Sequence, residues 1–197
     1  MKADMRSVMI VSKRAKMVEF IRSAMPPDRF HPVHVVSSAA EARRTLLNVP
    51  IDIVIIDTPL SDEFGTKLAQ DVSEQCAAAI IVKPELVERA AYKLEPFGVV
   101  TLPGTLYRSV MYQTLIVLSS TITKTQQLRE SSEKLKFKLR EVRAVTKAKA
   151  LLISEKGMTE EEAHKYIEKT SMDKGQKKSE TAGEIISELS PAAACRR

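Results

Sequence analysis

The 197-residue chain is poor in the residues that build covalent or metal frameworks. It holds two cysteines, Cys76 and Cys195, too few for a disulfide framework and in no metal-ligand spacing. Its three histidines, His31, His34 and His164, are scattered, so no metal site is expected. No uninterrupted run of about 18 apolar residues occurs, which excludes a membrane-spanning helix. The opening stretch, Met1 to Val11, is charged and then only briefly apolar, and reads as a first strand rather than a signal peptide. No nucleophile–base set, glycine-rich phosphate cradle or carboxylate pair is present, so no enzymatic activity and no cofactor are expected. Hydrophobic residues at 44% and charged residues at 28% suit a folded cytoplasmic protein.

Charge is distributed unevenly. The net charge is +6, yet residues 1–123 carry 14 Lys and Arg against 13 Asp and Glu. Residues 124–180 carry 15 against 10, so the excess sits in the second half and predicts two parts with different roles.

The first half alternates between strand and helix signals. Ser7–Val11 is a short apolar run, followed by a helical pattern with Val18, Phe20, Ile21 and Met25 that Pro26 and Pro27 break. Val33, Val35 and Val36 mark a second strand, and a helix over 39–47 follows, with Ser37 or Ser38 as N-cap. Residues 51–56 form the strongest strand signal, apolar on both faces as in a central parallel strand. Strands are also predicted at 79–82 and 98–102, with helices near 63–74 and 85–94. This pattern predicts an α/β domain over residues 1–122 with a five-stranded, doubly wound parallel sheet.

In such a sheet the functional crevice lies at the carboxyl ends of the strands, where Asp57 falls after the third. Asp57, with Pro59 and Gly65 behind it, resembles the phospho-acceptor region of bacterial receiver domains. The resemblance implies a divalent cation held by an acidic pair after the first strand, a Thr or Ser after the fourth and a Lys after the fifth. Here those places hold Ser12 and Lys13, Lys83, and Leu102 before Pro103. Three of the four phosphorylation features are thus replaced, and Asp57 is expected to be inactive or atypical as a phospho-acceptor. Two readings stay open: an ion pair from Lys13 or Lys83 locks Asp57, or Asp57 is a solvated residue at a strand end.

From Thr105 to Lys156 there is neither Pro nor Gly, and a helix is predicted from about Tyr107 to Ser154. At 1.5 Å per residue that is roughly 70 Å, more than a small domain needs for its last helix. A heptad register runs through it, with Leu118, Thr125, Ser132, Leu139 and Thr146 at one core position. Thr114, Thr121, Leu128, Leu135 and Val142 occupy the other. Half of these are Thr or Ser, so the helix reads either as a solvated linker or as a dimerising coiled coil. The dimer reading assigns its seam to Leu118, Leu128, Leu135, Leu139 and Val142, with a coiled-coil linker at 123–143.

Gly157 is the expected stop of this helix, and Thr159 with Glu162 forms a capping-box start to the next. Gly175 breaks the chain again before a helix holding Thr181, Ala182, Ile185, Ile186 and Leu189. A three-helix bundle over 144–190 is predicted, with a frayed tail at 191–197. The runs Ala148–Leu152 and Gly157–Ala163, then Tyr166, Ser171-Met172, and Ala182 with Ile185-Ile186, resemble the ANTAR domain, an RNA-binding antitermination module commonly fused to receivers. Lys178, Ser179 and Thr181 depart from its apolar pattern. The resemblance implies a transcription antitermination regulator of the two-component type that binds paired hairpins of a leader RNA as a homodimer. Candidate RNA contacts are Lys147 and Lys149, then His164, Lys165 and Tyr166, then Lys177 and Lys178. Tyr166 is read either as a core aromatic or as a stacking platform. The competing readings are a DNA-binding response regulator and a protein-interaction module sequestered by a sensor or regulatory protein.

Overall fold

The computed structural model describes residues 5–190. The predicted tail, with Pro191, Cys195, Arg196 and Arg197, lies outside the described residues. Contacts divide the chain into two units, up to Gln126 and from Gln127 onward.

The first unit is a parallel sheet of β1 (Arg6–Val11), β2 (Phe30–Val36), β3 (Ile53–Asp57), β4 (Ala77–Val82) and β5 (Val100–Pro103). Their spatial order is β2-β1-β3-β4-β5, the doubly wound arrangement the sequence predicts. The helices are α1 (Ala15–Ser23), α2 (Ala39–Asn48), α3 (Thr66–Ser73), α4 (Val87–Leu94) and α5 (Arg108–Lys156).

Alternation along each central strand explains why those strands read as continuous apolar runs. Met9, Val11, Val54, Ile56 and Ile80 point to one face and pack with Ala39, Ala42, Leu68, Val72 and Leu94 of α2, α3 and α4. Val8, Ile10, Ile53, Ile55 and Ile81 point to the other and pack with Ile21 of α1 and with Met111, Leu115 and Leu118 of α5. Both faces are covered, so neither can be polar.

Several element boundaries shift by two or three residues from the sequence reading, and two of the shifts have identifiable reasons. The helix predicted at 63–74 begins only at Thr66. The residues before it serve other ends: the Asp62 carboxylate accepts the backbone N–H groups of Ala39 and Ala40, capping α2 from outside. Gly65, at φ +107°, brings the chain so close to β3 that a Cβ there would stand 3.0 Å from Ile56 Cγ2. The helix predicted at 85–94 is preceded by a 3-10 turn over Pro84–Leu86 and becomes α-helical at Val87. Of the two candidate caps for α2, Ser38 accepts the Glu41 N–H at 3.2 Å.

The second unit holds the last part of α5 with α6 (Glu160–Asp173) and α7 (Lys178–Leu189). Its core is Ala148 and Leu152 of α5, Ala163 and Ile167 of α6, and Ala182 and Ile185 of α7. Gly157 and Gly175 take φ of +64° and +61° at the two turns, which only glycine adopts without strain. Thr159 and Glu162 form the predicted capping box. Thr181, one of the polar departures in the last helix, is fully buried and its hydroxyl accepts from the Gln176 side-chain amide at 3.2 Å. A hydroxyl at that place is tolerated because it is paired.

Candidate functional sites: a closed aspartate and a basic groove

Asp57 ends β3 and is 1% exposed, so it is not a solvated residue at a strand end. Its partner is neither Lys13 nor Lys83. The chain leaves β1 through Ser12, and Arg14 in extended conformation turns its guanidinium onto the carboxylate. Arg14 Nε donates to Asp57 Oδ2 at 2.8 Å, and Nη2 donates to Oδ1. Ser12 Oγ donates to Oδ2 at 2.6 Å while accepting the Arg14 backbone N–H at 3.0 Å.

This planar two-point fork matches a carboxylate better than an ammonium does, which is why the arginine prevails over the lysine beside it. Lys13 instead donates to the Leu60 carbonyl at 3.3 Å, and Lys83 is exposed and makes no ion pair among the described residues. Hydrogen bonding to Asp57, opposed in part by burial, holds the Arg14 guanidinium even more firmly charged than usual. The carboxylate that would accept a phosphoryl group is therefore already neutralised.

The divalent cation implied by the receiver resemblance does not fit this donor set. Where its carboxylates would stand there is a hydroxyl and an ammonium, and the remaining carboxylate already carries a guanidinium. The sequence reading weighed the two positions directly after the strand and missed the third. The signal that would have found Arg14 is reach: its side chain is long enough to return to the strand end.

In the second unit, a surface groove of about 630 Å³ runs between the end of α5, the end of α6 and the start of α7. Lys149, Lys177 and Lys178 line it, together with Glu141, Gln176 and the apolar Val142 and Val145. Lys147, His164, Lys165 and Tyr166 do not line this groove.

Two of the lysines, and His164, have acidic neighbours. Lys149 Nζ lies 3.7 Å from Glu160, while Lys178 and His164 share Glu168, the latter at 3.4 Å. The hydrogen bond from Lys178 holds the Glu168 carboxyl below the usual range. Lys177 lies 5.8 Å from the Phe137 ring centroid. Tyr166 is 38% exposed, with Lys156 Nζ 5.2 Å from its ring centroid, so it is not a core aromatic. The pairing role of Glu168 and the place of Lys156 over Tyr166 were not read from the sequence, where only the four-residue spacing of His164 and Glu168 hints at the first.

The expected seam divides. Leu118 is 3% exposed and packs in the sheet core, so it does not belong to a dimer seam. Leu128, Leu135, Leu139 and Val142 are each at least half exposed. Every residue from 123 to 140 is exposed, so this stretch of helix has no covering partner among the described residues.

The sheet unit has the receiver fold. The response regulatory domain of mrkE from Klebsiella pneumoniae aligns with a TM-score of 0.53 at 16% identity, covering 60% of this chain and 98% of that one. A signal receiver domain of an HD domain-containing protein from Pseudomonas fluorescens gives 0.55 at 15% identity, covering 62% and 93%. The chemotaxis response regulator CheY4 of Vibrio cholerae gives 0.51 at 14% identity, covering 58% and 98%. No curated protein sequence matches the chain. Residues 133–186 match the family model of the ANTAR domain. The chain thus joins a receiver fold to a segment that matches the ANTAR domain.

Proposed function

We propose that the chain is a cytoplasmic, non-enzymatic transcription antitermination regulator that binds hairpins of a leader RNA as a homodimer. The observation that carries this reading is the convergence of Lys149, Lys177 and Lys178 on one groove of the ANTAR-matching unit. Three ammonium groups outnumber the single lining carboxylate, Glu141, and with the amide and apolar lining suit an RNA loop, with cations for phosphates and a surface for unstacked bases. A duplex-DNA reader would need a basic recognition helix, whereas α6 opens with Glu160, Glu161 and Glu162. The exposed stripe of Leu128, Leu135, Leu139 and Val142 supports pairing of two copies. Two bundles on two adjacent hairpins would then act by avidity.

The receiver half is controlled by something other than standard phosphorylation, because Arg14 and Ser12 occupy the Asp57 carboxylate. Lys147, His164, Lys165 and Tyr166 stand outside the groove as a secondary set of contacts.

The test is binding to an RNA with two tandem stem-loops, titrated against salt. Lys149→Ala and Lys177→Ala should each weaken binding by about tenfold and lower the salt slope by about one. Unchanged affinity in both variants sinks the groove assignment, and salt-insensitive binding sinks the phosphate contacts.

A further inference from the structure

The exposed stripe of α5 carries more than apolar residues. Its heptad frame puts Leu128, Leu135 and Val142 at one core position and Ser132, Leu139 and Thr146 at the other. The positions that flank the seam are then Arg129, Lys136 and Arg143 on one side, and Ser131, Lys138 and Val145 on the other. Every charged residue among them is a cation. The acids of the same stretch, Glu130, Glu133 and Glu141, occupy outward positions. Lys136 is partly balanced by Glu133 at 3.0 Å along the helix. Arg129, Lys138 and Arg143 are exposed and make no ion pair among the described residues.

Flanking positions normally decide coiled-coil pairing through acid–base contacts between helices. Here two copies in parallel register set Lys138 against the partner's Arg143 on both sides of the seam. Antiparallel pairing also opposes cation to cation, since the flanks hold no acid to pair with. The seam itself is short: Leu128 to Val142 spans about 21 Å at 1.5 Å per residue, with the polar Ser132 inside it. Apolar burial draws the helices together and the flanking charges push them apart.

We infer that at low ionic strength this seam closes only when a polyanion neutralises its flanks, so that hairpin RNA binding and dimerisation of the chain are one coupled equilibrium. The inference rests on the RNA-binding reading above. A phosphate backbone lying along the paired helices converts repulsion into a shared counterion and adds contacts that each monomer lacks. Linkage makes the effect reciprocal: whatever factor RNA contributes to the dimerisation constant, dimerisation contributes to RNA affinity. The seam remains open without its ligand and fills when the transcript appears.

The experiment is sedimentation equilibrium of the full chain at low and high salt, with and without an RNA of two tandem stem-loops. Without RNA, the dimer should strengthen as salt rises, because the Debye length falls from about 10 Å at 0.1 M to about 3 Å at 1 M. At low salt the two-hairpin RNA should tighten the dimer by about tenfold or more. Lys138→Glu, which faces the partner's Arg143 with a carboxylate, should dimerise at low salt without RNA. A dimer that forms in low salt and ignores both salt and RNA overturns the coupling while leaving RNA binding intact. RNA that fails to bind at all overturns the functional reading and the coupling with it. If RNA leaves the balance unchanged while a peptide with leucine core and glutamate flanks captures the monomer, the seam is half of a heterodimer, which also overturns the inference.

Discussion

Asp57 carries the contacts on which the proposal of non-standard control rests. The carboxylate is buried, while the Arg14 side chain that neutralises it is 49% exposed. Removing each partner therefore has unequal consequences. Arg14→Ala leaves a buried charge held by Ser12 alone and should cost about 2 kcal/mol, below the full cost for a buried pair because Arg14 is half solvated. Asp57→Asn should cost less, since the amide keeps a partner in Ser12 and the freed guanidinium can hydrate. Urea denaturation of the two variants and their double mutant gives the order and the coupling; a costlier Asp57→Asn would show that the arginine is the poorly solvated member. Acetyl phosphate with Mg²⁺ should leave the intact mass of the protein unchanged, and a phosphoryl adduct would overturn the closed-site reading.

Elements were legible in the sequence where burial imposes one period, and ambiguous where two environments share a period. The central strands, packed on both faces, could only be continuous apolar runs, and the glycine turns and the Thr159 capping box are local chemistry. Helix α5 is different. Leu118 and Leu128 fall in one heptad pattern, yet the first packs against the sheet and the second faces solvent. Periodicity cannot tell a domain core from an intermolecular seam, because both demand one apolar stripe.

Leu118→Ala should therefore destabilise the receiver unit by about 3 kcal/mol in chemical denaturation, whereas Leu135→Ala should leave the monomer within about 0.5 kcal/mol and weaken self-association. The lysine groove was legible residue by residue but not as a set, since it needs the turn between α6 and α7 to return to α5. Thr159→Ala should cost about 1 kcal/mol of bundle stability by removing the cap.

The same capping and pairing contacts set the acid sensitivity. Backbone N–H groups lower the Asp62 and Glu162 carboxyls, and lysine partners lower Glu168 and Glu184. Their folded values lie below the unfolded ones, so their contribution is complete above the ordinary carboxylate range and is lost as pH falls through the depressed values. Thermal melts should be flat above about pH 5 and decline below it; an unchanged melting temperature down to pH 3 would contradict these partners.

At the scale of the whole molecule, the two units hold separate cores of unequal size, two layers around a sheet against a handful of residues between three helices. Denaturation followed by probes in each should show the bundle unfolding first, and a single coincident transition would show that α5 couples them. The units also differ in how far apart in sequence their contacts lie. Arg6 at the start of β1 donates to Thr123 of α5 at 2.9 Å, a separation of 117 residues, whereas the bundle hydrogen bond from Ser179 to Glu141 spans 38. Chain synthesis gives that difference a direction. The sheet cannot tie its first strand to its last helix until Thr123 has left the ribosome. The bundle, built from nearby segments, closes quickly once its own residues emerge. The lysine-lined groove is thus made after the sheet and is among the fastest parts to form.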